Sequence, residues 1–372
     1  MESGPKMFEA PVFAFIGAII SNLGVTPWVI RQLLRRSIMD IPNQRSSHDT
    51  PVPRGAGIMI ILTWLLGMIL VEGMAIYNPA GFFIAGPDGF VIGGTIGMVL
   101  LAAVGLIDDR HNLNPFIKLL VQIVAALQVL WLARLPVESF GLPFLEEPGL
   151  GTLGWVLALI WLVGFTNIFN FMDGINGLAF SQLIFGGVAL SIMGVMIDDF
   201  ELAVSGALAA GAAVGLLKYN FPQAQVFMGD VGSLPAGFLL GLMALRAAFG
   251  PDSQGQIPFM APVLALWPFL FDGGYTLLNR VYHRRNPFQA HRSHLYQRQL
   301  FAGQTHGEIT VFYGISMLVC GLFSLMLPGW SDTYQVVALA GLVLLSVVFL
   351  IRTVTRVRAS QTVVAPLDAE ND

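Results

Sequence analysis

Eleven apolar stretches, each close to the ~20 residues a helix needs to cross a bilayer, leave this chain little choice but to fold inside a membrane. They run roughly from Met7 to Ile30, Gly57 to Tyr77, Phe90 to Ile107, Phe116 to Ala133, Leu153 to Phe171, Ile175 to Ile197, Phe200 to Leu217, Val231 to Phe249, Ile257 to Gly274, Ile309 to Leu327 and Tyr334 to Ile351. Only 11% of the 372 residues are charged, 55% are hydrophobic and the mean hydropathy is +0.71, whereas soluble domains carry about 25% charge. The expected fold is all-α, a polytopic membrane helix bundle of about 11 transmembrane helices. No internal repeat and no long linker is visible, so residues 1–372 read as a single integral membrane domain. The spacings Gly211-xxx-Gly215 and Gly237-xxx-Gly241 supply small faces on which helices can pack closely.

Positive charge orients the bundle. If odd-numbered runs travel inward, all but Lys6, Arg134 and Arg246 of the 19 Lys and Arg residues fall on the inner side. That bias predicts an N-terminus outside, a C-terminus in the cytoplasm and a location in the cell's inner (plasma) membrane. Glu2 and Glu9 flank Lys6 without a convincing cleavage site, so the first run is expected to stay as a membrane helix. The one cysteine, Cys320, lies within the tenth run, where it reads as packing and can form no intrachain disulfide. No nucleic-acid partner is expected.

Polar residues gather at the inner ends of these runs. Asp108 and Asp109 close the third run, with Lys118 shortly after; their side chains point about 100° apart on a helix, so they are expected to divide their tasks. A charged helix stop is the plain alternative. In the stretch from Asn167 to Gly177, Asn167, Asn170, Asp173 and Asn176 recur every third residue, a polar fan that suits a ligand lining, or else amides joining helices. The segment Gly229-Asp230-Val-Gly232-Ser233 opens the eighth run, where free helix amides suit an anion. Asp230 with one Asn matches the one or two oxygen ligands that Mg2+ takes from protein. Arg45, His48 and Arg54 sit in a proline-rich first inner loop, and His291, Arg292, His294 and Arg298 in a later one. Both are basic enough to hold a phosphate or diphosphate.

Taken in order, Asp40-Ile-Pro-Asn-Gln-Arg45, Asp108-Asp109 with Lys118, Asn167-xx-Asn170-xx-Asp173-Gly174-xx-Gly177-Leu178, Phe227-Met-Gly229-Asp230-Val-Gly232-Ser233 and the late His/Arg loop resemble the polyprenyl-phosphate N-acetylhexosamine-1-phosphate transferases, of the glycosyltransferase family 4 type. The resemblance covers nearly the whole chain. It implies transfer of a sugar-1-phosphate from a UDP-N-acetyl sugar to undecaprenyl phosphate at the cytoplasmic face, with release of UMP. It also implies Mg2+, with Mn2+ as an alternative, as cofactor, contact with membrane lipid and a homodimer as one expected assembly. Carried onto this chain, Asp230 and Asn170 become metal ligands, and Asp108 or Asp109, with Lys118, handles the lipid phosphate. Asp173 and Asn176 fall to the uridine diphosphate side, Asn167, Arg45 and His48 to substrate binding, and His291, Arg292 and His294 to the diphosphate and sugar.

The late loop lacks the consecutive histidines of the peptidoglycan phospho-muramoyl-pentapeptide translocase and looks closer to the O-antigen-initiating branch. A direct displacement by the lipid phosphate is expected, with an aspartyl-phosphate route as its rival. A transporter is the alternative of a different class. Transporters place carboxylates near the midplane between repeated halves, and this chain shows neither.

Overall fold

The computed structural model describes residues 4–42, 50–77, 88–111, 113–135, 137, 149–253, 255–285, 292–329 and 332–364. Each apolar run falls on helix. In order come α1 (Gly4–Arg35), a short antiparallel pair β1 (Met39–Asp40) and β2 (Val52–Pro53), α2 (Ile58–Tyr77), α3 (Gly89–His111), α4 (Pro115–Ala133), α5 (Thr152–Met172), α6 (Leu178–Met196), α7 (Phe200–Asn220) and α8 (Asp230–Phe249). They are followed by α9 (Met260–Ala265), α10 (Trp267–Tyr282), α11 (Leu295–Phe301), α12 (His306–Met326) and α13 (Asp332–Val364). Among the described residues, nine helices are long and apolar enough to cross a membrane. The chain is therefore a polytopic membrane helix bundle.

The expected ninth span departs from a single rod. It is broken into α9 and α10 at Leu266, because Pro268 supplies no N–H to the turn before it and favours the first turn of a new helix. Within α2, the shorter apolar segment Ile58–Val71 stands among the described residues.

Local signals set several helix starts. Asn114 accepts the N–H of Phe116 at 2.9 Å with Pro115 at the first helical position of α4. Asp199 accepts the N–H of Leu202 at 3.0 Å to open α7. Thr305 and Glu308 form a reciprocal capping box on α12.

The bundle is wrapped around α8. Every residue from Val231 to Phe249 is buried, with α3, α5 and α7 among the helices packed on it. The glycine pairs serve the packing foreseen for them, Gly211 and Gly215 against Phe15, Ala18 and Asn22 of α1, and Gly237 against Thr166 and Phe169 of α5. The most exposed helices are α1 and α13, where Phe13, Ile20, Trp28, Val343 and Leu344 face outward, as hydrocarbon contact requires.

The two ends of α8 are both polar. At its C-terminal end Arg246, 2% exposed, donates from Nε to Asp199 at 2.5 Å, pairs with Asp88 and lies 3.4 Å from Glu201. Its guanidinium also sits over the Phe90 ring at 4.7 Å. A buried arginine is tolerated there because its charge is met by carboxylates from the starts of α3 and α7. The opposite end, about 30 Å away along the helix, carries the cluster described next.

Candidate active site

The first inner loop builds one wall. From β2 the chain forms a parallel bridge between Arg54 and Phe227, with Phe227 N–H donating to Pro53 at 2.8 Å and Gly55 N–H to Phe227 at 3.1 Å. These bonds join the segment ahead of α8 to β2 and so bring Arg54 to the start of α8. There Arg54 is hydrogen-bonded to Asp109 and approaches Asp230 at 4.0 Å.

The last turn of α3 builds the second wall. Asp109 Oδ1 accepts the N–H of Asp230 at 3.0 Å and Oδ2 that of Val231 at 3.1 Å. The free amides of the eighth helix, expected to face an external anion, are thus capped by a carboxylate of the chain itself. The helix dipole and the unpaired N–H groups favour negative charge there whatever its source. Gly229 makes the approach possible: its φ is +73°, and a Cβ would stand 2.7 Å from Asp109 Oδ2.

Asp108 turns the other way, as the helical period predicts. Its Oδ1 accepts Leu113 N–H at 2.7 Å and its Oδ2 accepts Lys118 Nζ at 2.9 Å. Lys118, near the start of α4, also donates to Asp230 Oδ2 at 3.2 Å. From the end of α5, Asn170 Nδ2 reaches Asp230 Oδ1 at 3.1 Å and Ser233 Oγ at 2.8 Å. Asp230 is therefore met by Lys118, Asn170 and Arg54 from three separate elements, and 18% of its side chain is still open.

Asp173, just past α5, is half-buried, and among the described residues its carboxylate accepts no hydrogen bond. Burial, with Asp230 and Asp109 nearby, pushes its pKa well above the ordinary carboxylate value. The oxygen donors fit Mg2+: Asp230, Asn170 and Asp173 offer hard ligands. Among the described residues no group of three or more His, Cys, Asp or Glu side chains converges on one point. A small protein ligand set completed by substrate phosphate and water is the pattern of Mg2+ sites.

Comparison with known proteins decides the family. Residues 91–248 match the domain described as Glycosyl transferase family 4. That stretch holds α3 to α8 and with them Asp108, Asp109, Lys118, Asn170 and Asp230.

These residues form a glycosyltransferase family 4 domain.

It resembles the "Probable undecaprenyl-phosphate N-acetylglucosaminyl 1-phosphate transferase" of Bacillus subtilis, at 27% identity over 313 residues and 82% of each chain. It is also 27% identical over 361 residues to the decaprenyl-phosphate N-acetylglucosaminephosphotransferase of Mycobacterium tuberculosis, 90% of this chain and 87% of that one. A phospho-N-acetylmuramoyl-pentapeptide-transferase of Streptococcus uberis is 33% identical over 139 residues, 36% of this chain and 40% of that one. The protein is a membrane transferase.

Other residues of this family 4 transferase lie outside the Asp230 cluster. Asn167 pairs with Gln122 of α4, its Nδ2 donating to Gln122 Oε1 at 2.5 Å and its Oδ1 accepting Gln122 Nε2 at 3.2 Å. The expected substrate contact becomes a joint between α4 and α5, since a buried amide needs a partner and the nearest is another amide. Asn176 Nδ2 donates to Pro222 at 3.0 Å, and its backbone is tied to α12 through Thr310 and His306. It anchors a turn rather than reaching Asp230. His294 Nδ1 lies 3.2 Å from Asp272, and Arg292 stacks on Phe301 at 4.8 Å. Arg45, His48 and His291 fall outside the described residues.

Three residues gain roles that the sequence does not assign. Arg54, in a loop read as a phosphate holder, meets Asp109 and Asp230. Ser233, in a segment read as facing an anion, accepts Asn170 Nδ2 at 2.8 Å. Asp272 is 0% exposed and accepts Tyr313 Oη at 2.7 Å, Leu295 N–H at 2.8 Å and Tyr296 N–H at 3.1 Å. Its signal was present: a solitary carboxylate in an apolar run is costly unless several donors meet it.

Proposed function

We propose that this transferase moves an N-acetylhexosamine-1-phosphate from a UDP-sugar to undecaprenyl phosphate at the cytoplasmic face of the membrane. A lipid-phosphate oxygen attacks the β-phosphorus of the nucleotide, the bond from that phosphorus to the bridging oxygen breaks, and UMP leaves. The product is a lipid diphosphate sugar, the first intermediate of a lipid-linked glycan such as O-antigen. The relatives' names support the polyprenyl acceptor and an N-acetylglucosamine donor. The observation that carries the reading is the meeting of Asp230, Lys118, Asn170 and Arg54 at one helix end, because phosphoryl transfer is chiefly positioning and charge neutralisation.

Asp230 and Asn170, with Asp173 beside them, would hold Mg2+, which neutralises the diphosphate when bound. Lys118, already 2.9 Å from Asp108, receives the acceptor phosphate, and Asp108 holds that ammonium in place. Asp109 positions: its side chain is 1% exposed and both oxygens are engaged by α8 amides. A carboxylate so occupied is a poor nucleophile, which favours direct displacement over an aspartyl-phosphate.

The test is UMP release by the purified protein with undecaprenyl phosphate, Mg2+ and a panel of UDP-N-acetyl sugars. One sugar should turn over, and EDTA should stop it. Uptake of substrate into sealed vesicles without UMP would instead make the protein a transporter. A labelled phospho-enzyme trapped from UDP-sugar alone would replace direct displacement.

A further inference from the structure

The fully buried Asp272 of α10 stands apart from the Asp230 cluster, yet the bonds that begin at it lead there. Its Oδ1 accepts Leu295 N–H at 2.8 Å and Thr276 Oγ1 at 3.2 Å, with His294 Nδ1 3.2 Å away; its Oδ2 accepts Tyr296 N–H at 3.1 Å and Tyr313 Oη at 2.7 Å. The start of α11 is thereby pinned to α10 and α12. Tyr296 then reaches α5, because its Oη donates to the carbonyl of Phe171 at 3.0 Å and lies where a Cβ on Gly174 would come within 2.0 Å of it. Phe171 belongs to the last turn of α5, whose carbonyls have no helix amide left to meet. Its neighbour Asn170 donates to Asp230 Oδ1 at 3.1 Å. One buried carboxylate is thus linked through a single side chain to the helix end that carries Asn170 and Asp173.

Packing gives no reason for a charge at this place. Apolar residues of similar volume often replace buried ionic groups without loss of stability, and α10 already lies close on α5 beside it, where a Cβ on Gly273 would stand 2.8 Å from the Ile168 side chain. What an apolar residue cannot do is hold two backbone amides and a phenol in one arrangement. Reacting groups work only when their supports fix them to about 0.5 Å, and a misplacement of about 1 Å caused far from the chemistry can cost about 100-fold in rate. The end of α5 needs such a support, since the helix stops at Met172 and the chain turns from Asp173 onward.

We propose that Asp272 is a positioning residue of the transfer reaction: through α11 and the Tyr296 hydroxyl it fixes the end of α5, and with it Asn170 and Asp173, against Asp230. The proposal rests on the reading above, in which Asn170 and Asp173 serve the UDP-sugar diphosphate and Lys118 the acceptor. Its mark is therefore a loss confined to one substrate.

Two tyrosines separate the routes. Tyr296→Phe deletes the hydroxyl that reaches α5 and leaves the Asp272 carboxylate its bonds, whereas Tyr313→Phe deletes a bond to Asp272 that leads to α12. In steady-state assays of UMP release, KM for the UDP-sugar should rise about threefold in Tyr296→Phe and about tenfold in Asp272→Asn, with KM for undecaprenyl phosphate unchanged in both. The double variant should be no worse than Asp272→Asn. Tyr313→Phe should lower the thermal midpoint and keep both KM values at wild type. A KM does not register a fraction of unfolded molecules, so a merely structural role would not produce this split. Where Asp272→Asn does not fold, Tyr296→Phe against Tyr313→Phe keeps the test open. An unchanged UDP-sugar KM in Tyr296→Phe, equal rises for both substrates, or the same rise in Tyr313→Phe would overturn the assignment. Hydrogen exchange of residues 168–176 gives a reading without substrate: it should quicken in Tyr296→Phe and not in Tyr313→Phe. A wild-type protein that releases no UMP while the variants show that pattern would sink the proposed reaction and leave the linkage standing; exchange that stays slow in Tyr296→Phe would sink the linkage itself.

Discussion

Asp109 caps the helix that Asp230 begins, Oδ1 of the first accepting the backbone N–H of the second at 3.0 Å. One of two adjacent aspartates thereby holds the active-site scaffold, while its neighbour Asp108 is directed through Lys118 into the site. The division follows from the 100° step between consecutive helical residues.

Removing the cap should therefore be a structural lesion first. Asp109→Ala leaves Arg54 without its closest carboxylate and two α8 amides without an acceptor. A cost of about 3 kcal/mol is expected from a broken, largely buried pair, read as a lowered thermal midpoint in detergent. Asp109→Asn, which keeps the shape but lacks the charge, should lose less stability and still abolish UMP release. Wild-type stability for Asp109→Ala would remove the cap from the account.

Asp230→Asn tests chemistry with little change in shape. Asn170 and Lys118 retain a partner of the same size, so the fold and thermal midpoint should hold while UMP release falls by about 100-fold or more. A variant that turns over normally would exclude Asp230 from the reaction.

Lys118 links two carboxylates, so its effect should depend on both. Lys118→Met and Asp108→Asn are each expected to lower turnover, and the double variant should be no worse than Lys118→Met, giving a coupling of about 1 kcal/mol or more in a double-mutant cycle. Additive losses would mean the two residues act separately.

Asp173 predicts a pH dependence of stability in the cation-free protein. Burial and the nearby Asp230 and Asp109 raise its pKa in the folded state above the ordinary value of 3.8, so the folded form holds a proton that the unfolded chain has released. Stability is then lost as pH rises from near that value through the raised one. Asp173→Asn lacks this penalty. The thermal midpoint of the variant minus that of wild type should grow between pH 4 and pH 8, and a difference that stays flat or shrinks would contradict it.

Tyr296 and Gly174 define how the late loop meets the site. Tyr296 Oη donates to the carbonyl of Phe171 at 3.0 Å, and a Cβ at Gly174 would overlap that hydroxyl. Gly174→Ala should destabilise the protein by about 1–3 kcal/mol through overpacking. Adding Tyr296→Phe, which deletes the overlapping oxygen, should recover part of the loss; no recovery would place the strain elsewhere.

Much of this was legible in the order of residues. Apolar length located the helices, although of the eleven spans expected nine among the described residues are long and apolar enough to cross a membrane, and the groupings Asp108-Asp109, Asn170 and Gly229-Asp230 marked the helix ends that converge. Asn167 shows the limit: it shares its spacing with Asn170, yet Gln122 of α4 takes it into the helix interface, and nothing near it in sequence announces that partner. Asp272 shows the reverse, a residue with no motif that becomes a hub for α10, α11 and α12.

From composition and periodicity alone follow the membrane, the helices and the set of polar groups carried to one end of the bundle, because transfer of apolar surface out of water and backbone hydrogen bonding are local properties of each segment. Which carboxylate caps α8, which amide meets Asp230 and which merely joins two helices depend on side chains more than 40 positions apart in the chain. Those choices are made only when packing brings the helices within hydrogen-bonding distance.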